Sequence, residues 1–113
     1  MNMNTKRLDT DILESIKVLA SKTLPADAHL ILFGSQARGD ANEGSDWDLL
    51  ILLDRDTAPS YLESGEYLYA FMNLGWEIGA EINPMVFTAK QWKSQEHSLF
   101  YHNVQEEGIR LWA

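Results

Sequence analysis

Residues 34–50 read GSQARGDANEGSDWDLL, and this stretch joins two short apolar runs at residues 30–33 (LILF) and 49–53 (LLILL). Apolar runs of this length, bounded by turn residues, are typical of buried strands. The joining stretch contains a Gly-Ser turn at Gly34, an arginine at Arg38, and two aspartates, Asp46 and Asp48, separated by one residue. So much polar and flexible sequence between two core strands predicts a binding site at that end of the sheet.

The chain has 113 residues, a formal net charge of −8 and no cysteine. We predict a single domain over residues 1–113, with 1–8 as a loose N-terminal segment, because this length can bury a core of its own. The absence of cysteine excludes disulfides, thiolate chemistry and cysteine-ligated zinc. The acidic balance argues against direct nucleic-acid binding, which needs clustered Lys and Arg. It favours metal ions, cationic small molecules or a basic protein partner, or it serves solubility alone.

The sequence also lacks the marks of a membrane or exported protein. No apolar run approaches the roughly 20 residues of a membrane span. Residues 1–7 are polar and contain no hydrophobic signal region. These features predict a protein that has no membrane contact and is located in the cytoplasm.

Hydrophobic periodicity and capping residues predict the remaining elements. Helices are expected over residues 11–22, 60–73 and 98–107, with a short one after Thr88, and Gly75 and Gly108 act as stops for two of them. Strands are expected over residues 29–33, 46–54 and 76–87, with a short final one at 109–112. This order predicts an α/β (α+β) fold, in which helices pack on a small mixed or antiparallel β-sheet.

The two aspartates predict a divalent-cation site. In a strand, Asp46 and Asp48 project from one face, while Trp47 and Leu49 project from the other and pack in the core. Oxygen ligands without a neighbouring His or Cys favour Mg²⁺ or Mn²⁺ over zinc. The alternative is that Asp46 merely begins a strand and Asp48 is solvated.

The Gly-Ser turn and the arginine after it predict an anion site. Gly34 and Ser35 follow a strand and open a short helical segment, whose first N–H groups, together with the serine hydroxyl, are available to an anion. Arg38 lies one turn further and can add a charge-assisted contact. The alternatives are an ordinary turn and a surface ion pair between Arg38 and Asp40 or Glu43.

A phosphate cradle beside a pair of metal-binding carboxylates is what a nucleoside triphosphate with Mg²⁺ requires. The spacing Gly34-Ser35, ten residues, then Asp46-Trp47-Asp48 resembles the G-S-x10-D-x-D signature of the DNA polymerase beta-type nucleotidyltransferases. The fuller form GSQARGDANEGSDWDLLILL, about a fifth of the chain, is most similar to the minimal nucleotidyltransferases. It is not a Walker-type loop, since no G-K-[ST] follows.

The resemblance implies the nucleotidyltransferase fold and metal-dependent transfer of a nucleotide, AMP from ATP or the equivalent from another nucleoside triphosphate. Gly34 and Ser35 would hold the β- and γ-phosphates, with Arg38 assisting. Asp46 and Asp48 would be catalytic and would bind two Mg²⁺ or Mn²⁺ ions, as in two-metal phosphoryl chemistry.

The resemblance also implies a third carboxylate from a later strand, which binds a metal and helps to deprotonate the acceptor hydroxyl. Glu81 is the candidate, because an antiparallel third strand would bring it opposite Asp48. Glu77 lies on the same polar side of the predicted strand and is the second choice.

The acceptor implied by the resemblance is a tyrosine of a HEPN-type toxin, so that the chain would be the antitoxin of a toxin–antitoxin pair. Two alternatives remain open. In one, the chain keeps the fold as a non-catalytic binding module that neutralises its partner by contact, and in the other it transfers the nucleotide to a small molecule such as an aminoglycoside. The oligomeric state, including a homo-oligomer, also stays open.

Overall fold

The computed structural model describes residues 3–42 and 44–113, with side chains described from residue 10 onward. Five helices and four strands follow one another in these ranges: α1 (Met3–Thr23), β1 (Ala28–Phe33), α2 (Ser35–Arg38), β2 (Trp47–Leu53), α3 (Tyr61–Ile78), β3 (Ile82–Thr88), α4 (Ala89–Lys93), α5 (Leu99–Glu107) and β4 (Ile109–Trp112). The predicted α/β architecture is confirmed.

The strands form one mixed sheet in the order β3-β2-β1-β4. β1 pairs antiparallel with both β2 and β4, whereas β2 and β3 pair in parallel. The parallel pairing follows from α3, because a helix that crosses one face of the sheet returns the chain to the end from which it started. An antiparallel third strand, as predicted for Glu81, is therefore wrong.

Apolar side chains cover both faces of the sheet. On one face, α1 and α3 pack on side chains from the first three strands, and the core contains Ile16, Ala20, Leu30, Leu49, Ile51, Tyr67 and Phe71. On the other face, α4 and α5 pack around Leu50, Trp92 and Val104. The run at residues 49–53 is apolar without alternation because β2 lies in the middle of the sheet, between two helical layers.

Two helices are longer than the sequence predicts. α1 begins at Met3, so residues 3–8 are helical rather than loose, while residues 1 and 2 lie outside the described part of the chain. α3 continues past Gly75 to Ile78, and Gly79 ends it in the left-handed conformation with φ 72°. The predicted strand at 76–87 is thus helical in its first residues, and β3 begins at Ile82.

Gly75 lies inside α3 because the chain packs tightly against it. A Cβ at this position would lie 2.5 Å from the carbonyl oxygen of Ala80, which is closer than real contacts allow. The glycine is therefore needed for the close approach of helix and strand and does not act as a helix stop. Among the described residues, no helix combines the length and the apolar character that crossing a membrane requires.

An ion-pair network, here called the Arg55 cluster, consists of Arg55, Asp27, Glu63 and Tyr67. The Arg55 guanidinium donates to both Asp27 oxygens at 2.8 and 3.0 Å and to Glu63 Oε2 at 3.0 Å. The Tyr67 hydroxyl donates to the same Glu63 oxygen at 2.5 Å. The cluster joins the residue before β1, the loop after β2 and the first turn of α3, at the end of β2 that lies away from Asp46.

The cluster changes the pKa of each acid in it. The hydrogen bond from Arg55 lowers the pKa of Asp27. The hydrogen bonds from Tyr67 and then Arg55 lower the pKa of Glu63. Burial, with the Glu63 carboxylate beside it, raises the pKa of Tyr67 to about 12. The two carboxylates are thus stabilised in their ionised form.

We predict that Arg55→Met lowers the free energy of unfolding by about 1–2 kcal/mol at neutral pH, because two carboxylates lose their charged donor. Lowered carboxyl pKa values stabilise the fold above the ordinary carboxyl range, and this stabilisation is lost as the pH falls below about 4. Urea unfolding at pH 7 and pH 3 should therefore show a deficit that shrinks on acidification. Arg110→Met, at an exposed arginine of β4, is the control. A deficit of equal size at both pH values would contradict the prediction.

Candidate functional site

The turn after β1 brings the backbone against a strand carboxylate. Gly34 has φ 76° and ψ −160°, a region that side chains essentially do not enter. A Cβ built on it would lie 2.3 Å from Asp48 Oδ2. Register explains the contact, because Phe33, the last residue of β1, pairs with Asp48 in the antiparallel ladder. Only glycine therefore fits between the turn and this carboxylate.

The predicted short helix after the turn is present as α2. The Gly34 carbonyl accepts from the N–H groups of Ala37 and Arg38, each at 3.1 Å, and Gly39 closes the helix in the left-handed conformation with φ 83°. The first N–H groups of a helix have no acceptor within the helix. The N–H groups of Ser35 and Gln36 therefore point out of the N-terminal end of α2. Phosphate binding by Gly34 and Ser35 stays a prediction that this geometry permits.

Arg38 lies at the end of α2 and is paired with acids. Its Nε lies 3.1 Å from Asp40 Oδ2, and its Nη1 lies 3.3 Å from Glu107 Oε2 of α5. The sequence left open a surface ion pair of Arg38 with Asp40 or Glu43 as an alternative to anion binding. The pair with Asp40 is present, and Glu43 lies outside the described residues. The side chain is 42% exposed, so an incoming phosphate can compete for it without a large burial cost.

The loop between α2 and β2 is fixed by hydrogen bonds of its own. Gln36 Nε2 donates to the Ser45 carbonyl at 3.3 Å, and Ser45 Oγ accepts from the Asn42 N–H at 2.8 Å. The Ser45 N–H in turn donates to the Asn42 carbonyl at 3.0 Å. These bonds hold the residue before Asp46 beside α2, and so they position the first aspartate.

The two aspartates share a face of the sheet, as predicted. Trp47 and Leu49 between and after them are buried in the core, at 5% and 0% exposure. Asn83 Nδ2 donates to Asp46 Oδ2 at 2.9 Å and lies 3.5 Å from Asp48 Oδ1. A single amide nitrogen therefore reaches an oxygen of each aspartate, which shows that the two carboxylates converge on one point.

Asn83 is the residue that the sequence reasoning missed. In the parallel ladder, Asp48 pairs with Asn83, so the asparagine of β3 faces the second aspartate. The signal was available in the sequence, because a helix of this length between two strands is typical of a parallel crossover. A parallel register would have directed attention to Asn83 instead of Glu81.

Glu81 precedes β3 and reaches the first aspartate rather than the second. Its carbonyl accepts from the Trp47 N–H at 2.8 Å, which places it next to Asp46. The hydrogen bond to Asp46, and then the repulsion from that like charge, raise the pKa of the Glu81 carboxyl. A position opposite Asp48 is thus wrong for Glu81, but its closeness to the aspartate pair is retained.

Glu77, the second choice, lies on α3 and not on a strand. Its Oε1 accepts from Asn73 Nδ2, one helical turn earlier, at 3.1 Å. Trp76, Glu77 and Ile78 are all exposed on the last helical turn, so the alternation that suggested a strand here does not correspond to a buried and an exposed face. Glu77 is consequently placed outside the group of side chains that meet at Asp46 and Asp48.

The donor set fits a cation bound together with a triphosphate. The part of the chain that the structure describes contains no set of three or more His, Cys, Asp or Glu arranged to hold a metal ion. Asp46 and Asp48 converge, however, and Mg²⁺ is commonly held by one or two carboxylates together with substrate phosphates and water. The point where both aspartates converge now holds the partial positive charge of the Asn83 amide, which a cation can replace.

Comparison with known proteins agrees with the fold described above. The nucleotidyltransferase domain family matches residues 12–107. A protein of Methanocaldococcus jannaschii, provisionally named as a protein adenylyltransferase, is 35% identical over 102 residues, which are 89% of this chain and 94% of that protein. The match therefore extends over nearly the whole of both chains.

Two further likenesses are more limited. The bifunctional uridylyltransferase/uridylyl-removing enzyme of Pseudomonas aeruginosa is 39% identical over 66 residues, which are 58% of this chain but only 7% of that enzyme. A chain in the solved complex of tri-AMPylated Shewanella oneidensis HEPN toxin with MNT antitoxin superposes with a TM-score of 0.58. It is 17% identical, with 93% of this chain and 72% of that chain covered, and this likeness concerns the fold.

We predict that Gly34→Ala destabilises the protein and abolishes Mg²⁺-dependent nucleotide binding, because a Cβ there displaces Asp48. Gly39→Ala is the matched control, since Gly39 also has positive φ but nothing lies within 4 Å of its Cβ position. Backbone strain alone should cost the control roughly 1–2 kcal/mol. Urea unfolding and titration with a fluorescent ATP analogue measure both effects. Equal losses in the two variants would contradict the steric argument.

We predict that Asn83→Asp lowers the melting temperature in the presence of EDTA, because a third negative charge then faces Asp46 and Asp48. Addition of Mg²⁺ or Mn²⁺ should raise the melting temperature more in this variant than in the wild type. The control is Asn73→Asp, which also puts a carboxylate beside a hydrogen-bonded acid, Glu77, but away from the site. Thermal melts with and without the cation measure the melting temperature of each protein. An equal response of all three proteins would show that Asn83 does not face the cation site.

Proposed function

This chain belongs to the nucleotidyltransferase domain family, and we propose that it transfers AMP from ATP to a hydroxyl group, a tyrosine of a HEPN-type toxin. The observation that carries the proposal is the convergence of Asp46 and Asp48 on one point, directly beside Gly34. A triphosphate held at the turn after β1 would therefore have its phosphates next to both carboxylates.

Each side chain has a role in this proposal. Gly34 and Ser35 bind the β- and γ-phosphates through the turn and the first N–H groups of α2. Arg38 exchanges an acid partner for a phosphate oxygen. Asp46 and Asp48 hold divalent cations, two Mg²⁺ or Mn²⁺ ions, which when bound supply the positive charge that compensates the triphosphate.

In the proposed reaction the acceptor oxygen attacks the α-phosphorus, and the bond to the pyrophosphate oxygen breaks on the opposite side. The chain contributes position and electrostatics rather than a covalent intermediate. Glu81 would take the acceptor proton in this proposal, which its contact with Asp46 supports.

The choice of ATP and of a toxin as acceptor is supported by the relatives. The M. jannaschii protein is named as a protein adenylyltransferase, and the Shewanella complex holds an AMPylated HEPN toxin. The net charge of −8 suits a basic protein partner. These observations favour a protein acceptor over a small molecule such as an aminoglycoside.

One observation favours a second function. Asn83, a neutral amide, occupies the β3 position that faces Asp48, and it donates to the aspartates instead of adding a ligand charge. A site with fewer acidic ligands binds cations less tightly. The alternative is therefore a binding module with this fold, which neutralises its partner by contact and has little turnover.

We predict that incubation with Mg²⁺, α-labelled ATP and a purified HEPN-type protein from the same genome puts label on that protein. Asp46→Asn/Asp48→Asn should abolish the label, because neither carboxylate can then hold a cation. Asp56→Asn, at an exposed aspartate in the loop after β2, is the control and should leave the label unchanged.

The same assay, scored also for toxin activity, separates the two functions. Loss of label together with loss of neutralisation in the double variant supports transfer. Neutralisation that persists in the double variant, with no label on the wild-type sample, would reject transfer in favour of the binding module.

A further inference from the structure

The order of the strands separates two sides of the aspartate pair. The turn at Gly34 follows β1, the aspartates belong to the start of β2, and Asn83 and Glu81 lie at the start of β3. Since β2 lies between β1 and β3, the phosphate turn is on one side of the carboxylates and the start of β3 is on the other.

This separation matters because nucleotidyl transfer proceeds in line. The attacking oxygen and the departing pyrophosphate lie on opposite sides of the phosphorus. With the β- and γ-phosphates at Gly34, the side of β3 is the side of the carboxylates that lies away from the departing pyrophosphate. This step rests on the function proposed above, in which the turn binds the triphosphate.

A cleft of about 490 Å³ lies on that side, between the last turns of α3 and the start of β3. Its lining includes Met72 and Trp76 from the helix and Glu81 and Asn83 from the strand end. The same two residues that contact Asp46 thus form one wall of the cleft. Glu81 and Asn83 are therefore shared between the cleft and the candidate active site.

The walls of the cleft are fixed in place. The Ala80 N–H donates to the Gly75 carbonyl at 2.9 Å, and no side chain fits between Gly75 and Ala80. Gly79 turns the chain in the left-handed conformation and also donates to the Gly75 carbonyl. These contacts hold the end of α3 close to the residues that lead into β3.

The helical wall is apolar and exposed. Trp76 is 67% exposed and Met72 is 41% exposed, and the Trp76 ring packs edge-on against Tyr69 with 6.4 Å between ring centroids. Exposed tryptophan and methionine beside a charged site are enriched in protein–protein contacts. A small hydroxyl acceptor would leave this wall uncovered, whereas a polypeptide segment would cover it.

We propose that this cleft, the acceptor cleft, binds a segment of the partner protein that carries the acceptor hydroxyl. An apolar side chain of the segment lies against Trp76 and Met72, and the hydroxyl lies at Glu81 and Asn83. Basic residues around the segment complement the acidic chain, whose net charge is −8. Trp76 is a specificity-determining residue for the protein acceptor and makes no contact with the nucleotide.

Trp76→Ala tests the proposal in the labelling assay with the HEPN-type protein. Loss of an aromatic anchor should raise KM for the partner protein by about tenfold or more, while the affinity for a fluorescent ATP analogue with Mg²⁺ stays unchanged. Trp76→Phe should restore most of the lost affinity. Tyr61→Ala is the control, because Tyr61 is 98% exposed on the same helix, about 22 Å away along the axis.

Three results of this assay would overturn the acceptor cleft. An unchanged KM in Trp76→Ala would show that the partner does not contact this wall. An equal rise in KM in Tyr61→Ala would show a general effect of the helix surface. A loss of ATP-analogue affinity in Trp76→Ala would show that the ring stacks on the nucleotide base.

A photo-crosslinking amino acid at position 76, compared with one at position 61, separates this inference from the proposed reaction. A crosslink to the HEPN-type protein from position 76 alone supports binding of the partner segment at this wall, and if the wild type transfers no label the proposed reaction alone fails. Label transfer without a crosslink from position 76 leaves the reaction standing and overturns the cleft. If the two proteins form neither a crosslink nor a labelled product, both proposals are rejected.

Discussion

The parallel pairing of β2 with β3 decides which side chains meet at the site. Trp47 pairs with Ile82 and Asp48 with Asn83, so a shift by one residue would turn Asn83 away from the aspartates. This register is set by α3, whose two ends are anchored separately. The Arg55 cluster holds the first turn, and the contact between Gly75 and Ala80 holds the last. A crossover fixed at both ends leaves β3 no freedom to slide along β2.

The contact between Gly34 and Asp48 links the two halves of the site. The turn belongs to β1 and the carboxylate to β2, and the antiparallel pairing of Phe33 with Asp48 brings them together. Because the backbone of Gly34 fills the space beside Asp48, neither half can move without the other. A triphosphate and a cation bound here would be positioned by the sheet itself rather than by mobile loops, which suits a reaction that depends on alignment.

The sequence was sufficient for those parts of the site that depend on local spacing. The shared face of Asp46 and Asp48 follows from the period of a strand, and the turn at Gly34 follows from the glycine after an apolar run. The features that the sequence did not predict depend on tertiary contacts. Gly75 resembles a helix stop until β3 packs against it, and Asn83 is an ordinary strand residue until the parallel register places it opposite Asp48. The packing at Gly75 is not local and could not be read from spacing, whereas the parallel register at Asn83 was indicated only by the length of the helix between the two strands.

The charges of the site explain why a neutral amide can stand among its acids. Asp46, Asp48 and Glu81 lie close together, and their repulsion is relieved in two ways. Glu81 holds its proton more tightly because it is hydrogen-bonded to Asp46, and the Asn83 amide donates to the aspartates. A cation held by Asp46 and Asp48 would relieve the same repulsion through its own positive charge, so the amide stands where that charge is needed when no cation is bound.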